Sequence, residues 1–299
     1  MGLGMKLNLK LFMTSTAIGA VLGGGAFAAD AVLVVDDQQF EARYEAKPAV
    51  SALNGKIEAA YTWIDIDGLG NVDLWTGAAS VSVPVSHSFG IQIDAGIGRF
   101  TGDASATAYG IAGHAFWRNP DFALLGLYAD YQTTTDFDLD ATRIGLEGEL
   151  YLDRISLEGF AGAELVDTPG GDETFFSGEA LAAFYITDDF RVHGGVGHRF
   201  DETYGIVGAE AMLPFGGNNV ALFTDGVFAD AATSVRGGVR IYFGESGKSL
   251  KARHREDDPR VRLFDATGGF MAGDDDDVIV CEPPYEYNPE TEQCGYDVF

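Results

Sequence analysis

A period of two is clearest in the stretch Ile91-Gln92-Ile93-Asp94-Ala95-Gly96-Ile97-Gly98, where apolar side chains alternate with polar or small ones. Successive side chains of a β-strand point to opposite faces, so this stretch has one apolar face and one polar face. Residues 143–150 repeat the pattern, with isoleucine and leucine on one face and arginine and glutamate on the other. Both stretches predict β-strands whose two faces meet different media.

Segments of this kind follow one another from about residue 54 to residue 245, each about 10 to 14 residues long with turn residues between them. The predicted strands are 54–64, 73–85, 89–99, 106–117, 122–133, 140–152, 155–166, 174–187, 190–200, 203–214, 219–229 and 233–244. Their length and number predict an all-β fold, a transmembrane, antiparallel, up-and-down β-barrel of about twelve strands. A charge on the lipid-facing side at mid-membrane costs ~2–4 kcal/mol, so the polar stripe should line the lumen.

A soluble β-sandwich or a lipocalin-like barrel is the alternative, with the apolar stripe turned inward. Against it, Gly159, Ala161 and Ala163 dilute that stripe, and the 40 glycines of the chain suit a lipid-facing surface better than a close-packed core. Aromatic residues near the strand ends, such as Tyr185 at one rim and Tyr204 at the other, predict girdles at two membrane interfaces.

Residues 1–28 resemble a secretory signal peptide, with lysines before the apolar run 11–22 and the small-residue pattern Ala26-Phe27-Ala28 at the end. A retained helical anchor is the alternative, but the run is shorter than the ~20 residues that a span needs. Export would bring Cys281 and Cys294 into an oxidising compartment, where we expect a disulfide that closes a hairpin around Tyr287-Asn288-Pro289.

The chain is strongly acidic, with 46 Asp and Glu against 19 Lys and Arg and a formal net charge of −27. Affinity for nucleic-acid phosphates depends on Lys and Arg, so a general nucleic-acid binder is excluded. Five histidines are scattered singly, and the spacing of the histidines and cysteines predicts no metal site.

The last predicted strand ends in Arg236-Gly237-Gly238-Val239-Arg240-Ile241-Tyr242-Phe243. This resembles the β-signal of Gram-negative outer-membrane barrels, whose polar, glycine, hydrophobic and aromatic positions would be Arg236, Gly238, Ile241 and Phe243. The resemblance implies insertion by the barrel assembly machinery into the bacterial outer membrane, among its lipids and lipopolysaccharide. In most such proteins the aromatic residue ends the chain, whereas here the sequence continues to residue 299.

The resemblance also implies that both ends of the barrel chain lie on the periplasmic side, so that alternate loops face outward. The outer loops include residues 101–105, 134–138 and 167–173, which are acidic. Beside lipopolysaccharide phosphates they would need divalent cations to bridge them, unless their charge is simply solvated. No other cofactor is predicted.

Inward parity predicts a charged lumen. The pore-lining residues that we expect are Asp94, His114, Asp130, Arg143, Glu147, Glu149, Arg191, His193, Arg199, Arg236 and Arg240, with Glu58, Glu158, Glu164, Glu179, Glu210 and Asp225 on the same face. In a barrel of this width they either close the lumen as a salt-bridge network or line a narrow channel. The expected function is therefore a structural or narrow porin-like role, with cations favoured by the excess of carboxylates.

A lipid hydrolase of the phospholipase or lipid A deacylase type is the alternative from another functional class. Such a site needs a serine and a histidine together at the membrane interface. His198 has outward parity near the outer end of its strand, but the positions that pair with it offer Thr203 and no outward serine. Enzymatic activity is not expected, and no catalytic residue is assigned.

The flanks of the barrel region, residues 51–245, are less regular. Residues 29–50 predict a periplasmic arm or a plug in the lumen. The tail, residues 246–299, begins with the basic residues Lys248, Lys251, Arg253, Arg255, Arg260 and Arg262 and turns acidic at Asp274-Asp275-Asp276-Asp277. This composition predicts a mobile periplasmic linker that ends in the disulfide hairpin and reaches toward the cell wall or a periplasmic protein.

Overall fold

The computed structural model describes residues 47–68, 70–102, 105–135, 139–168, 171–214, 217, 219–265, 286–288 and 293–295. The predicted signal peptide and residues 29–46 of the predicted arm lie outside the described residues. The elements in chain order are β1 (Asn54–Ile66), β2 (Gly70–Pro84), β3 (Phe89–Thr101), β4 (Thr107–Asn119), β5 (Ala123–Thr134), β6 (Leu139–Leu152), β7 (Ile155–Thr168), β8 (Gly171–Thr187), β9 (Phe190–Arg199), β10 (Glu202–Met212), β11 (Val220–Phe228), β12 (Ala232–Phe243), α1 (Leu250–Glu256), β13 (Glu286–Asn288) and β14 (Gln293–Gly295).

Strands β1 to β12 form a closed barrel in which each strand pairs with its neighbours in the chain. All pairs are antiparallel, and β1 closes the barrel on β12 from Gly55 opposite Phe243 to Ile66 opposite Ala232. The predicted twelve-stranded up-and-down barrel is therefore confirmed. We call the end where β1 begins the near mouth and the opposite end the far mouth.

The two faces of each strand follow the predicted parity. On β3 the side chain of Ile93 is 55% exposed, whereas the neighbouring Asp94 is 0% exposed. On β6, Ile144 and Leu146 are exposed and Arg143 is buried. An apolar exterior around a charged interior is the reverse of a soluble barrel and matches a barrel surrounded by lipid. No helix within the described residues is long and apolar enough to cross a membrane.

Two of the aromatic residues predicted for the girdles point the other way. Tyr185 and Tyr204 are 1% and 5% exposed and lie inside the barrel. Their inward orientation has a physical reason at Tyr185, because its hydroxyl finds a hydrogen-bond partner, the Nδ1 atom of His254, in the lumen. The girdle prediction is wrong for these two residues.

The chain does not leave the barrel after β12. The helix α1 begins after Ser249, whose side chain accepts a hydrogen bond from the Ala252 amide at 3.3 Å, and residues 257–265 continue without regular structure among lumen side chains. We call residues 248–265 the plug segment. The prediction of a mobile periplasmic linker from residue 246 is wrong for this segment, because its charged side chains pair with the barrel wall and its apolar ones are buried in the lumen.

Strands β13 and β14 pair as a hairpin, with Glu286 opposite Gly295 and Tyr287 opposite Cys294. The backbone of the predicted hairpin is thus present. Cys281 and the acidic run 274–277 lie outside the described residues, so the disulfide stays a prediction.

Candidate functional site

The predicted pore-lining side chains all face the lumen, where most of them are buried. Buried to 9% exposure or less are Asp94, His114, Asp130, Arg143, Glu147, Arg191, Arg199 and Arg236. Glu149, His193 and Arg240 line a cavity beside the plug segment. Period-two parity was enough to place them, because a closed barrel has only an inside and an outside.

One ladder of ion pairs runs along the lumen side of the wall, from β1 through β12, β10 and β9 to β7. Glu58 on β1 accepts hydrogen bonds from Arg236 and from Arg240, the latter at 2.6 Å. Arg240 also pairs with Glu210 at 2.7 Å. Arg191 continues the ladder with a hydrogen bond of 2.9 Å to Glu158. Each arginine therefore has a carboxylate on another strand, which offsets the cost of burying its charge.

A second group of pairs lies on the other side of the lumen. Arg143 on β6 pairs with Asp130 on β5 at 2.6 Å, and the Arg199 Nε donates to Glu164 at 2.8 Å. His114 sits between two carboxylates, with its Nε2 3.0 Å from Asp94 and its Nδ1 2.8 Å from Glu147. This part of the wall also pairs its buried charged side chains with one another.

The plug segment is anchored first at the near mouth. The Leu250 amide donates to the Asp189 carboxylate at 3.1 Å, and the Lys251 ammonium pairs with Asp188 at 2.7 Å. The Lys251 ammonium is the first cause that lowers the pKa of the Asp188 carboxyl below its ordinary value. Arg253, 1% exposed, donates to the Asn219 side chain at 2.7 Å. These contacts attach α1 to the turns that connect β8 to β9 and β10 to β11.

His254 joins α1 to the wall at two tyrosines. Its Nδ1 lies 3.0 Å from the Tyr185 hydroxyl and its Nε2 lies 3.1 Å from the Tyr242 hydroxyl and 3.4 Å from the Glu210 carboxylate. Since the Glu210 carboxylate only accepts, Nε2 carries a proton toward it.

Deeper in the lumen the plug segment pairs with the wall through charges. Lys56 on β1 forms an ion pair with Asp258 and donates to the Pro259 carbonyl at 2.9 Å. Glu179 on β8 accepts hydrogen bonds from both Arg260, at 2.6 Å, and Arg262, at 2.9 Å. Unlike the ladder pairs, both of these join the wall to a segment that is not part of any barrel strand.

The tip of the plug segment is apolar. Leu263 and Phe264, 1% and 4% exposed, pack with Ala108, Ala112, Tyr128 and Phe160. Glycines make room for the Phe264 ring, since a Cβ atom at Gly96 would lie 2.9 Å from it. Gly98 and Gly110 lie at the same ring. The inward glycines of β3 and β4 thus leave room for an aromatic side chain of the plug segment.

The plug segment leaves little free space. A cavity of about 40 Å³ remains between it and the wall, lined among others by Glu158, Arg191, Asp225, Arg240 and Arg260. A water molecule needs roughly 10–15 Å³ on this measure. This cavity can hold a few waters and is too small for a larger solute.

Sequence reasoning missed the plug segment and left Lys56 and Arg118 out of the predicted lumen set. Both face inward and are buried. Gln92, which was predicted to face the lumen, donates to the Pro259 carbonyl at 3.3 Å. The inward parity of Lys56 and Arg118 was a usable signal. The second signal was charge, because the basic run from Lys248 to Arg262 complements a wall in which carboxylates outnumber basic side chains.

The residues of the hydrolase alternative do not form a catalytic group. His198 Nδ1 lies 3.0 Å from the Thr203 hydroxyl, its Nε2 lies 3.9 Å from Asp201, and its ring packs beside Phe176. Its partners on the adjoining strands are Gly178 and Thr203, so no serine pairs with it. Among the described residues no group of three or more His, Cys, Asp or Glu side chains is arranged to hold a metal ion.

No family model and no curated protein matches the sequence. Several solved structures share the fold at low identity. The KdgM porin in complex with disordered oligogalacturonate is 9% identical, with a TM-score of 0.49 over 63% of this chain and 99% of the porin. The translocator domain of the autotransporter NalP from Neisseria meningitidis is 13% identical, with a TM-score of 0.49 over 65% of this chain and 88% of that domain.

An outer-membrane channel from Pseudomonas putida F1 is 14% identical, with a TM-score of 0.49 over 70% of this chain and all of that one. Outer membrane phospholipase A from Escherichia coli, in an active-site mutant, is 12% identical with a TM-score of 0.42 over 68% and 94%. Identities this low carry no activity from one protein to another. The closed barrel with an apolar exterior and a charged lumen is nonetheless, by its own geometry, a barrel of the outer-membrane type.

Proposed function

We propose that the protein is a porin-like channel of the bacterial outer membrane that its own plug segment holds closed. The observation that supports this proposal most directly is the contact at Glu179, a wall carboxylate that accepts hydrogen bonds from two arginines of the plug segment. When the segment leaves, its ion pairs and hydrogen bonds are exchanged for bonds to water, and the apolar surface exposed is mainly that of Leu250, Leu263 and Phe264. The barrel strands need not separate for this to happen, because the wall has its own ion pairs.

The charge of the wall supports a preference for cations in the open state. The lumen carboxylates are Glu58, Asp94, Asp130, Glu147, Glu149, Glu158, Glu164, Glu179, Glu210 and Asp225, and the lumen bases other than histidine are Lys56, Arg118, Arg143, Arg191, Arg199, Arg236 and Arg240. Removal of the plug segment takes away six basic and four acidic side chains, a net loss of two positive charges. Fixed carboxylates that outnumber fixed bases favour cations in a narrow aqueous lumen.

The orientation and assembly belong to the same proposal. Ile241 and Phe243 of the β-signal resemblance are exposed on the lipid side of β12, whereas Arg236 is buried against Glu58. We propose that the barrel assembly machinery reads this strand and that the near mouth faces the periplasm. Bridging of the outer loops by divalent cations remains part of the proposal, although residues 103, 104, 136–138, 169 and 170 lie outside the described residues.

Planar-bilayer recording of three proteins tests the channel. These are the full chain, a chain that ends at Gly247, and the full chain with Arg260→Ala and Arg262→Ala. We expect the full chain to be mostly closed, and both variants to give stepwise current that carries cations in preference to anions. The double variant keeps α1 and its contacts at the near mouth, so it tests plug release if the truncated chain fails to fold.

Folding of each protein is checked by heat-modifiable migration on a gel. If both variants are folded and electrically silent, the wall itself seals the barrel and the role is structural. If the full chain conducts as freely as the variants, the plug segment is not the closure.

A further inference from the structure

Arginines of the plug segment lie over aromatic rings of the wall. The guanidinium carbon of Arg253 is 5.1 Å from the centre of the Tyr242 ring, and that of Arg262 is 5.3 Å from the centre of the Phe160 ring. A cation within about 6 Å of a ring centre is attracted to the negative face of the ring. The wall therefore offers more to these side chains than opposite charge alone.

Arg255 lies beside two tyrosine rings. Its guanidinium carbon is 5.2 Å from the centre of the Tyr151 ring and 5.5 Å from that of the Tyr185 ring, and both tyrosines are buried. The same guanidinium donates to the Ile155 carbonyl at 3.0 Å and to the Ser156 hydroxyl at 3.2 Å. Ring faces combined with hydrogen-bond acceptors suit a planar guanidinium better than the compact ammonium of lysine.

Glu179 on β8 binds two arginines at once. Its side chain is 6% exposed, and its Oε1 atom accepts from Arg260 at 2.6 Å and from Arg262 at 2.9 Å. Residues 258–262 have no regular structure, and in an extended chain alternate side chains can face the same way. The spacing Arg-x-Arg thus matches one buried carboxylate, with the Phe160 ring beside it.

The lysines of the plug segment have different surroundings. Lys251 pairs at the near mouth with Asp188, whose side chain is 61% exposed. Lys248 pairs at 2.6 Å with Asp257, which belongs to the plug segment itself. Every Lys or Arg from residue 252 to residue 265 is an arginine. The plug segment therefore uses guanidinium groups where it contacts the rings and the buried carboxylate of the wall.

We infer, on the basis of the proposed function, that the plug segment occupies subsites at which the open lumen binds short peptides with the spacing Arg-x-Arg. These subsites become free only when the plug segment leaves. The peptide and the plug segment then exclude each other, because both need Glu179. The class of solute is thus narrower than cations in general.

Calorimetric titration of purified protein in detergent tests this inference. The probes are acetyl-Arg-Val-Arg-amide, which has the sequence of residues 260–262, and acetyl-Lys-Val-Lys-amide, which carries the same charge. The open protein is the full chain with Arg260→Ala and Arg262→Ala, which keeps Glu179 and loses the two arginines bound to it. If heat-modifiable migration shows that this variant does not fold, the chain that ends at Gly247 takes its place.

We expect the arginine peptide to bind the open protein about tenfold more tightly than the lysine peptide does. It should also bind the open protein about tenfold more tightly than it binds the unmodified chain, in which Glu179 is occupied. Glu179→Gln added to the open protein should weaken this binding about tenfold. Glu58→Gln is the matched control, because the two arginines of Glu58 belong to β12, and it should leave the binding unchanged.

Equal affinities of the two peptides overturn the inference, because general attraction to an acidic wall would then be sufficient. Equal binding of the arginine peptide to the open protein and to the unmodified chain overturns it as well. Binding as expected in a protein that carries no current rejects the channel and supports the peptide site. Current without a preference for the arginine peptide supports the channel and rejects the peptide site.

Discussion

Substitution of Glu179 by glutamine should release the plug segment while the barrel stays folded. The carboxylate is 6% exposed and holds Arg260 at 2.6 Å and Arg262 at 2.9 Å. Removal of one member of a buried ion pair costs about 3–5 kcal/mol. Glutamine keeps one acceptor oxygen, so we take the lower end, ~3 kcal/mol. At 1.4 kcal/mol for each factor of ten, the open fraction should rise about 100-fold.

Glu58→Gln is the matched control, because Glu58 also binds two arginines but both of them belong to β12. Glu58→Gln should lower the thermal stability of the barrel and leave the open fraction near that of the unmodified protein. Both variants are measured by single-channel open probability under the same voltage and salt. An open probability for Glu179→Gln within threefold of the unmodified protein, or a control that opens equally, refutes the reasoning.

Two further predictions concern the tip and the base of the plug segment. Gly96→Ala puts a Cβ atom 2.9 Å from the Phe264 ring and should raise the open probability. Gly113→Ala is the control, because its Cβ would have nothing within 4 Å, and it should leave the open probability unchanged. Recordings in which the two variants behave alike would contradict the placement of the Phe264 ring beside Gly96. At the base, burial raises the pKa of the Glu256 carboxyl, but the hydrogen bond from Lys47 and the charge of Lys248 outweigh it and leave the pKa below the ordinary 4.5. A carboxyl with a depressed pKa stabilises the plug segment in the lumen above its ordinary pKa and loses that effect as the pH falls. The open fraction should therefore rise below about pH 4.5, and it should rise less in Glu256→Gln. Identical pH profiles of the two proteins would show that Glu256 does not contribute.

The barrel could be predicted because the alternation that defines each strand is visible within a few consecutive residues. The alternation in residues 91–98 predicts which side chains face lipid. The structure confirms this, since Ile93 is exposed and Asp94 is buried. The girdle prediction used only the position of Tyr185 near a strand end, although parity counted from Glu179 places it on the inward face. Its lumen partner His254 lies 69 residues away in the chain, so the reason for the inward position was not visible locally.

The plug segment could not be predicted from its own composition. A run of basic, polar residues has the sequence properties of a linker, and nothing within it indicates that it is buried. Its partners lie on strands remote in sequence, as with Arg260 and Glu179, which are 81 positions apart. Only a comparison of the charge of the tail with the charge of the lumen would have indicated the pairing, and that comparison requires the barrel to be closed first.

Occupation of the lumen by residues 248–265 is the central claim, and photo-crosslinking inside the chain tests it most directly. A benzoylphenylalanine replaces Val261, which lines the remaining cavity together with Phe223 and Ala209. After irradiation of intact cells, peptide mass spectrometry should find this residue joined to wall strands of the same chain, either β4, β5 and β7, whose side chains pack against Val261, or β10 and β11 across the cavity. The same probe at Phe223, on the barrel wall, is the control for a folded barrel. If that control is folded and the probe at residue 261 forms adducts only with other proteins, the account is contradicted.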